Sequence, residues 1–272
     1  LEINIFKDHN LYPYTGSILE HFRSHFDTVY VSFIPFTDKD VLDEKWTDAK
    51  IIDEVKSVRW ETVMKKGGFS SYREINMALK SRASAYEKAL ERPDLEEKLF
   101  DLSEEQGIHE PIEGCYDIFS KISIYRALKL IGKNAVYLMD EFYEGNSLID
   151  LEHVSEIEFA ELVLPETYYI FSEDKEILFT LDWESCFFLI ASSKDHLNRI
   201  INAELFEGFL CEKETTHQWE FTVEELVQNG KRSSVSRLMN KITTVLLVIS
   251  FSVVTLTLIY WFYYRFGVDY IH

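Results

Sequence analysis

Apolar positions in this chain keep two periods before merging into one long run at the end. Residues 28–36, TVYVSFIPF, alternate and are rich in β-branched and aromatic side chains, which predicts a strand halted at Pro35. A helical region follows. Ser71, Tyr72, Arg73 and Glu74 have the S-x-x-E spacing of a capping box, and Ile75, Leu79 and Tyr86 recur at helical spacing until Pro93 closes the segment. Residues 94–106 predict a charged helix ended by Gly107. Residues 115–131 predict another, with Ile118, Ile122, Tyr125 and Leu128 or Lys129 on one face and Gly132 as its stop. The period then returns to two. Strands are expected at 135–139, 167–171, 177–181 and 186–191, the middle two joined by the turn Ser172, Glu173, Asp174, Lys175. A helix over 194–203 separates these from short strands at 208–211 and 217–221. The resulting class is α+β, a helical N-terminal half packed on a mostly antiparallel sheet, with no internal repeat.

The closing run, residues 242–264, holds no charged residue over its 23 positions. At 1.5 Å per residue that is roughly 35 Å, enough to cross a hydrocarbon core about 30 Å thick, so one C-terminal transmembrane helix is expected. Lys231, Arg232, Arg237 and Lys241 precede the run, and only Arg265 and Asp269 follow it. Because basic flanks stay on the cytoplasmic side, these residues predict a single-pass, tail-anchored protein of the cell membrane with its N-terminal domain in the cytoplasm. The expected division is an acidic domain over 1–229, a basic juxtamembrane linker over 230–241, the span over 242–264 and a short outer tail over 265–272. Thr243, Ser250 and Thr257 share a helix face and offer a homodimer contact, against the commoner role of hydroxyls bonding their own backbone.

Charge narrows the partners. The net charge is −19 while five of the basic residues lie in or beyond the linker, so the domain before it is more acidic than the whole. Such a field repels nucleic acid and speeds association with basic proteins, and the lipid bilayer and a basic protein are the expected partners. Cys115, Cys186 and Cys211 are odd in number and widely spaced, as reduced thiols would be.

Two stretches carry a resemblance. Residues 59–99, from RWETVMKKGG onward, and residues 181–221, with LDWES before an apolar strand and GFLC before T-x-H-x-W, resemble a bacterial family catalogued as domain of unknown function 2711. The likeness spans residues 28–221 and rests on packing and turn residues. It implies no reaction, and the terminal apolar run departs from it. The same C-terminal motifs also look similar to small proteins that neutralise toxins delivered between bacteria, a likeness of fold and composition only.

Candidate chemistry is sparse. Asp182 and Glu184 flank Trp183 at a strand end, where both carboxylates could project on one face as an acid and base pair; strand-end acids are more often simply solvated. His217 with Cys211 and Cys186 offers three zinc ligands, but no CxxC or HExxH accompanies them, so no metal and no cofactor is expected. Glu173, Asp174 and Lys175 sit in a turn of an acidic domain unsuited to DNA, and Gly67 and Gly68 lack a P-loop lysine. The expectation is therefore a membrane-tethered, non-enzymatic binding protein of the immunity type. Its contact face would lie around Asp182, Glu184, Glu212 and Glu214. The alternatives are a membrane-bound hydrolase using Asp182, Glu184 and His217, or a scaffold subunit of a membrane complex.

Overall fold

A computed structural model describes residues 11–41, 47–86, 88, 90–142, 147–222 and 225. The chain divides into two compact units, Leu1–Glu220 and Phe221–His272, and every element described lies in the first. Its N-terminal half contains α1 (Ile18–Phe22), β1 (Thr28–Phe33), β2 (Phe36–Thr37), α2 (Asp48–Glu54), β3 (Ser57–Val58), α3 (Trp60–Gly67), α4 (Tyr72–Arg82) and α5 (Pro93–Gln106). Then come α6 (Ile118–Leu130), β4 (Ala135–Met139), β5 (Ser147–Asp150), α7 (Glu156–Leu162), β6 (Tyr169–Ser172), β7 (Ile177–Leu181), β8 (Phe187–Ser192), α8 (Lys194–Asn202) and β9 (Gly208–Leu210).

Seven strands form one antiparallel sheet in the order β5-β4-β6-β7-β8-β1-β9, while β2 and β3 pair separately. On one face Tyr30, Ile170, Phe179, Phe188 and Ile190 pack against Ile124 and Leu128 of α6, Phe159 of α7 and Leu197 of α8. On the other, Phe33 stacks on Trp60 of α3 at 4.3 Å and meets Tyr72 of α4 at 4.9 Å. Because both faces are covered, β7 and β8 are buried at every position and read as continuous apolar runs.

Burial on this scale reaches the helices. In α4 every residue from Ile75 to Lys80 is buried, Asn76 and Lys80 included. At α3 the N-cap residue Arg59 supplies no side-chain cap, and Glu207, from the connection between α8 and β9, takes over. Its two carboxylate oxygens accept from the backbone N–H of Trp60 and Glu61, both at 2.7 Å. A carboxylate there satisfies two free donors and complements the helix dipole.

Several expectations are corrected. The longest helix among the described residues is α5, at 14 residues, or about 21 Å, short of a hydrocarbon core. The described fold is α+β, and among the described residues no helix is long and apolar enough to cross a membrane; the helix expected over residues 242–264, with the linker and tail, lies outside the described residues. The strand expected at 28–36 is present as β1 and lies inside the sheet between β8 and β9, so the N-terminal half contributes to the sheet as well as packing helices on it. Residues 217–221 form turns, their alternation serving ring packing of His217 and Trp219. Ser71 gives no side-chain cap to α4, although Glu74 does reach back, to the N–H of Ser70. A complete capping box stands instead at Ser155 and Glu158, opening α7.

Replacing the distant cap tests its weight. Glu207→Ala is expected to cost about 1–2 kcal/mol, read as a lower urea midpoint with an unchanged m-value.

Candidate functional site

The sharp turn between β7 and β8 brings the first expected site residues together and sets their roles apart. Asp182 is 2% exposed, and its carboxylate accepts from the N–H of Glu184 at 3.4 Å, the Ser185 hydroxyl at 3.3 Å and the Tyr14 hydroxyl. Glu184 and Trp183 project into solvent, Trp183 at 59% exposure. One carboxylate is therefore buried and the other solvated. Burial raises the Asp182 carboxyl above the usual carboxylate range, with the hydrogen bonds and the Lys80 charge opposing it in part.

The turn is clamped from outside by the segment joining α5 to α6. Gly114 donates its N–H to the Ser185 carbonyl at 3.1 Å. It adopts φ +69°, and a Cβ there would stand 2.3 Å from the Trp183 carbonyl oxygen, so only glycine fits. Beside it the Glu113 carboxyl is pushed up by burial and then by the charge of Glu184, which makes these two acids neighbours.

His217 approaches from the other side. Its Nδ1 lies 3.0 Å from the Tyr12 hydroxyl, and its Nε2 stands 3.8 Å from Asp182, too far for a hydrogen bond. Burial first, and then the positive charge of Lys80, lowers its pKa to about 3. The ring is neutral at ordinary pH, so its contact with Asp182 is not an ion pair. The suggested zinc partners are packed elsewhere to other ends. Cys186 is aimed at the Pro111 carbonyl, and Cys211 closes β9, its thiol pushed up to about 12 by burial. Among the described residues no group of three His, Cys, Asp or Glu side chains is arranged to hold a metal ion. Glu212 and Glu214 are exposed on the turn that leads into His217.

Behind His217 lies a polar cluster that the sequence reading missed. Lys80 of α4 pairs with Glu220 at 3.2 Å, with the lysine side chain 7% exposed and the glutamate 0%. The Tyr86 hydroxyl donates to the same carboxylate oxygen at 2.5 Å, and Arg73 donates to the Glu220 carbonyl at 2.6 Å. Burial, then the Glu220 charge, pushes the Tyr86 phenol well up. The available signal was the spacing of Arg73, Asn76 and Lys80, which share one helix face, combined with a glutamate at the end of the aromatic stretch.

The profile of the family described as Protein of unknown function (DUF2711) matches residues 14–221. The chain belongs to the DUF2711 family. Its matched region holds the sheet, Tyr14, the Asp182 turn, His217 and the Lys80–Glu220 pair, so these features lie inside the DUF2711 domain. Uncharacterized protein YwbB of Bacillus subtilis (strain 168) is 22% identical over 219 residues, an alignment covering 74% of this chain and 94% of YwbB. No solved structure matches.

The His217 environment has a pH signature. The ordinary pKa is 6.5 and the folded value about 3, so below pH 6.5 the unfolded chain takes up a proton that the folded one refuses. The stabilisation is complete above pH 6.5 and is lost as pH falls toward 3. Asp182, shifted upward, contributes with the opposite sign. His217→Asn is expected to flatten the acid limb between pH 6.5 and 4 by up to about 1.4 kcal/mol per pH unit, measured by denaturation at stepped pH.

Proposed function

We propose that this domain is a non-enzymatic binding protein that captures a basic protein partner on the face formed by the β7–β8 turn and the segment joining α5 to α6. The observation carrying this reading is Trp183, a large aromatic left 59% exposed on a clamped turn, with the solvated carboxylate of Glu184 beside it and that of Glu113 next to both. A rigid indole loses little conformational freedom on burial. Flanked by acids, it suits a Lys or Arg side chain that can stack on the ring and pair with a carboxylate. Ile112, 39% exposed on the same connecting segment, adds apolar area. The net charge of −19 would speed encounter with such a partner. An immunity-type protein opposing a basic toxin would present a surface of this kind.

A hydrolase built on Asp182, Glu184 and His217 draws support from the 3.8 Å approach of Asp182 to His217. Against it, Glu184 points to solvent, and the His217 ring is held by Tyr12 with both of its polar neighbours buried. The binding reading accounts for more of the arrangement.

The test uses the chain as immobilised bait, with the captured protein identified and its affinity measured. Trp183→Ala and Glu184→Lys are each expected to weaken binding about 10- to 100-fold without changing the fold. Affinity should also fall on going from about 0.05 to 0.5 M salt. Binding indifferent to salt and to both substitutions would remove this reading.

A further inference from the structure

A cavity of about 180 Å³ lies between the segment joining α5 to α6, the first turn of α6, and α2. Val41, Ile51, Pro111 and Phe119 give it mostly apolar walls. A cavity of about 150 Å³ with such walls takes up benzene, so this one has room for a six-membered ring with a short substituent. Lys121 is half-buried on the same lining. Among the described residues its side-chain nitrogen has no hydrogen-bond or ion-pair partner. Two carboxylates of the lining are already engaged. Glu110 pairs with Arg82 at 3.3 Å, and Asp117 caps α6 by accepting from the N–H groups of Phe119 at 3.2 Å and Ser120 at 2.9 Å. With Asp48, also on the lining, they make the cavity unfavourable to an anion, while its walls favour an uncharged ring.

We propose that this cavity binds a small uncharged aromatic aldehyde, which Lys121 captures as a Schiff base. A lysine left without a partner against apolar walls is driven toward its neutral, nucleophilic form. Burial lowers the Lys121 pKa, with the charges of Asp48, Cys115 and Asp117 opposing it in part. Cys115, on the same wall, does not compete, because burial pushes its thiol up and away from the thiolate. The Lys121 Nζ attacks the carbonyl carbon, and as the carbonyl oxygen gains a proton and the nitrogen loses one, a carbinolamine forms. Its hydroxyl takes up a second proton and leaves as water, the C=N bond forms, and the nitrogen releases its remaining proton. One amine and one aldehyde thus give one imine and one water. The Asp117 carboxyl, raised by burial against the hydrogen bonds it accepts, lines the same cavity and can carry those protons. The capture is stoichiometric and does not rest on the protein-capture reading, although Ile112 belongs both to this lining and to the outer face.

The experiment treats the full chain with benzaldehyde and sodium cyanoborohydride, which fixes each imine as a benzylamine, and locates the adducts by peptide mass spectrometry. Lys121 should be labelled at least about tenfold faster than the exposed Lys66 and Lys213. With 4-carboxybenzaldehyde, whose charge faces the lining carboxylates, labelling at Lys121 should slow by about tenfold. Ile51→Trp, which fills the cavity and leaves the lysine in place, should bring Lys121 down to the rate of the exposed lysines with the circular dichroism of the parent. Trp183→Ala should leave the labelling unchanged, which separates this site from the outer face. Equal labelling of Lys121, Lys66 and Lys213 would show that Lys121 reacts only as any surface amine does and would overturn the proposal. So would 4-carboxybenzaldehyde matching benzaldehyde, or a folded Ile51→Trp variant labelled at the parent rate.

Discussion

Coverage of both sheet faces is the constraint from which the other features follow. With α6, α7 and α8 on one side and α3, α4 and the C-terminal turns on the other, β1, β7 and β8 have almost no wet surface. A helix packed into such an interior is buried nearly all round, and α4 is, so polar side chains on it must find partners inside. Lys80 finds Glu220. Burial of the His217 ring, and after it the charge of Lys80, keeps that ring neutral, so the interior sets the protonation state of a residue near the surface.

A buried ion pair brings little net stability, because the cost of dehydrating both charges offsets much of their attraction. Its effect here is on geometry. Glu220 receives a lysine, a tyrosine hydroxyl and, at its carbonyl, an arginine, which fixes the last turn of the first unit against α4. The outer face is fixed differently, by a glycine whose backbone touches the Trp183 carbonyl. Interior and surface sites are thus held by separate means, and substitutions at one should act independently of the other.

Strands were the most legible part of the sequence. Residues 135–139 and 177–181 match β4 and β7, because five-residue, mostly apolar runs bounded by polar and turn residues are too short for a helix and read as buried strands. Asp182 and His217, which the sequence assigned to different candidate groupings and joined only in the hydrolase alternative, come within 3.8 Å in the fold. What it did not convey was burial. Asp182 and Glu184 are equivalent in sequence yet face opposite environments, and the difference comes from Tyr14 and Ser185. The Lys80–Glu220 pair joins residues 140 positions apart, beyond any local pattern. Edge strand β5, four mostly exposed residues, has no burial to leave an imprint on its sequence.

One topological feature bears on how the chain is made. Strand β1 has β8 and β9 as its neighbours, both more than 150 residues later. At 5–20 residues per second, the apolar segment TVYVSF waits roughly 8–30 s on the ribosome before either partner exists. During that interval it is an unpaired, aggregation-prone strand. Newly made chains would therefore depend on chaperone shelter until residue 210 emerges, and production at high rates would be limited by the schedule of strand pairing and not by the stability of the finished fold.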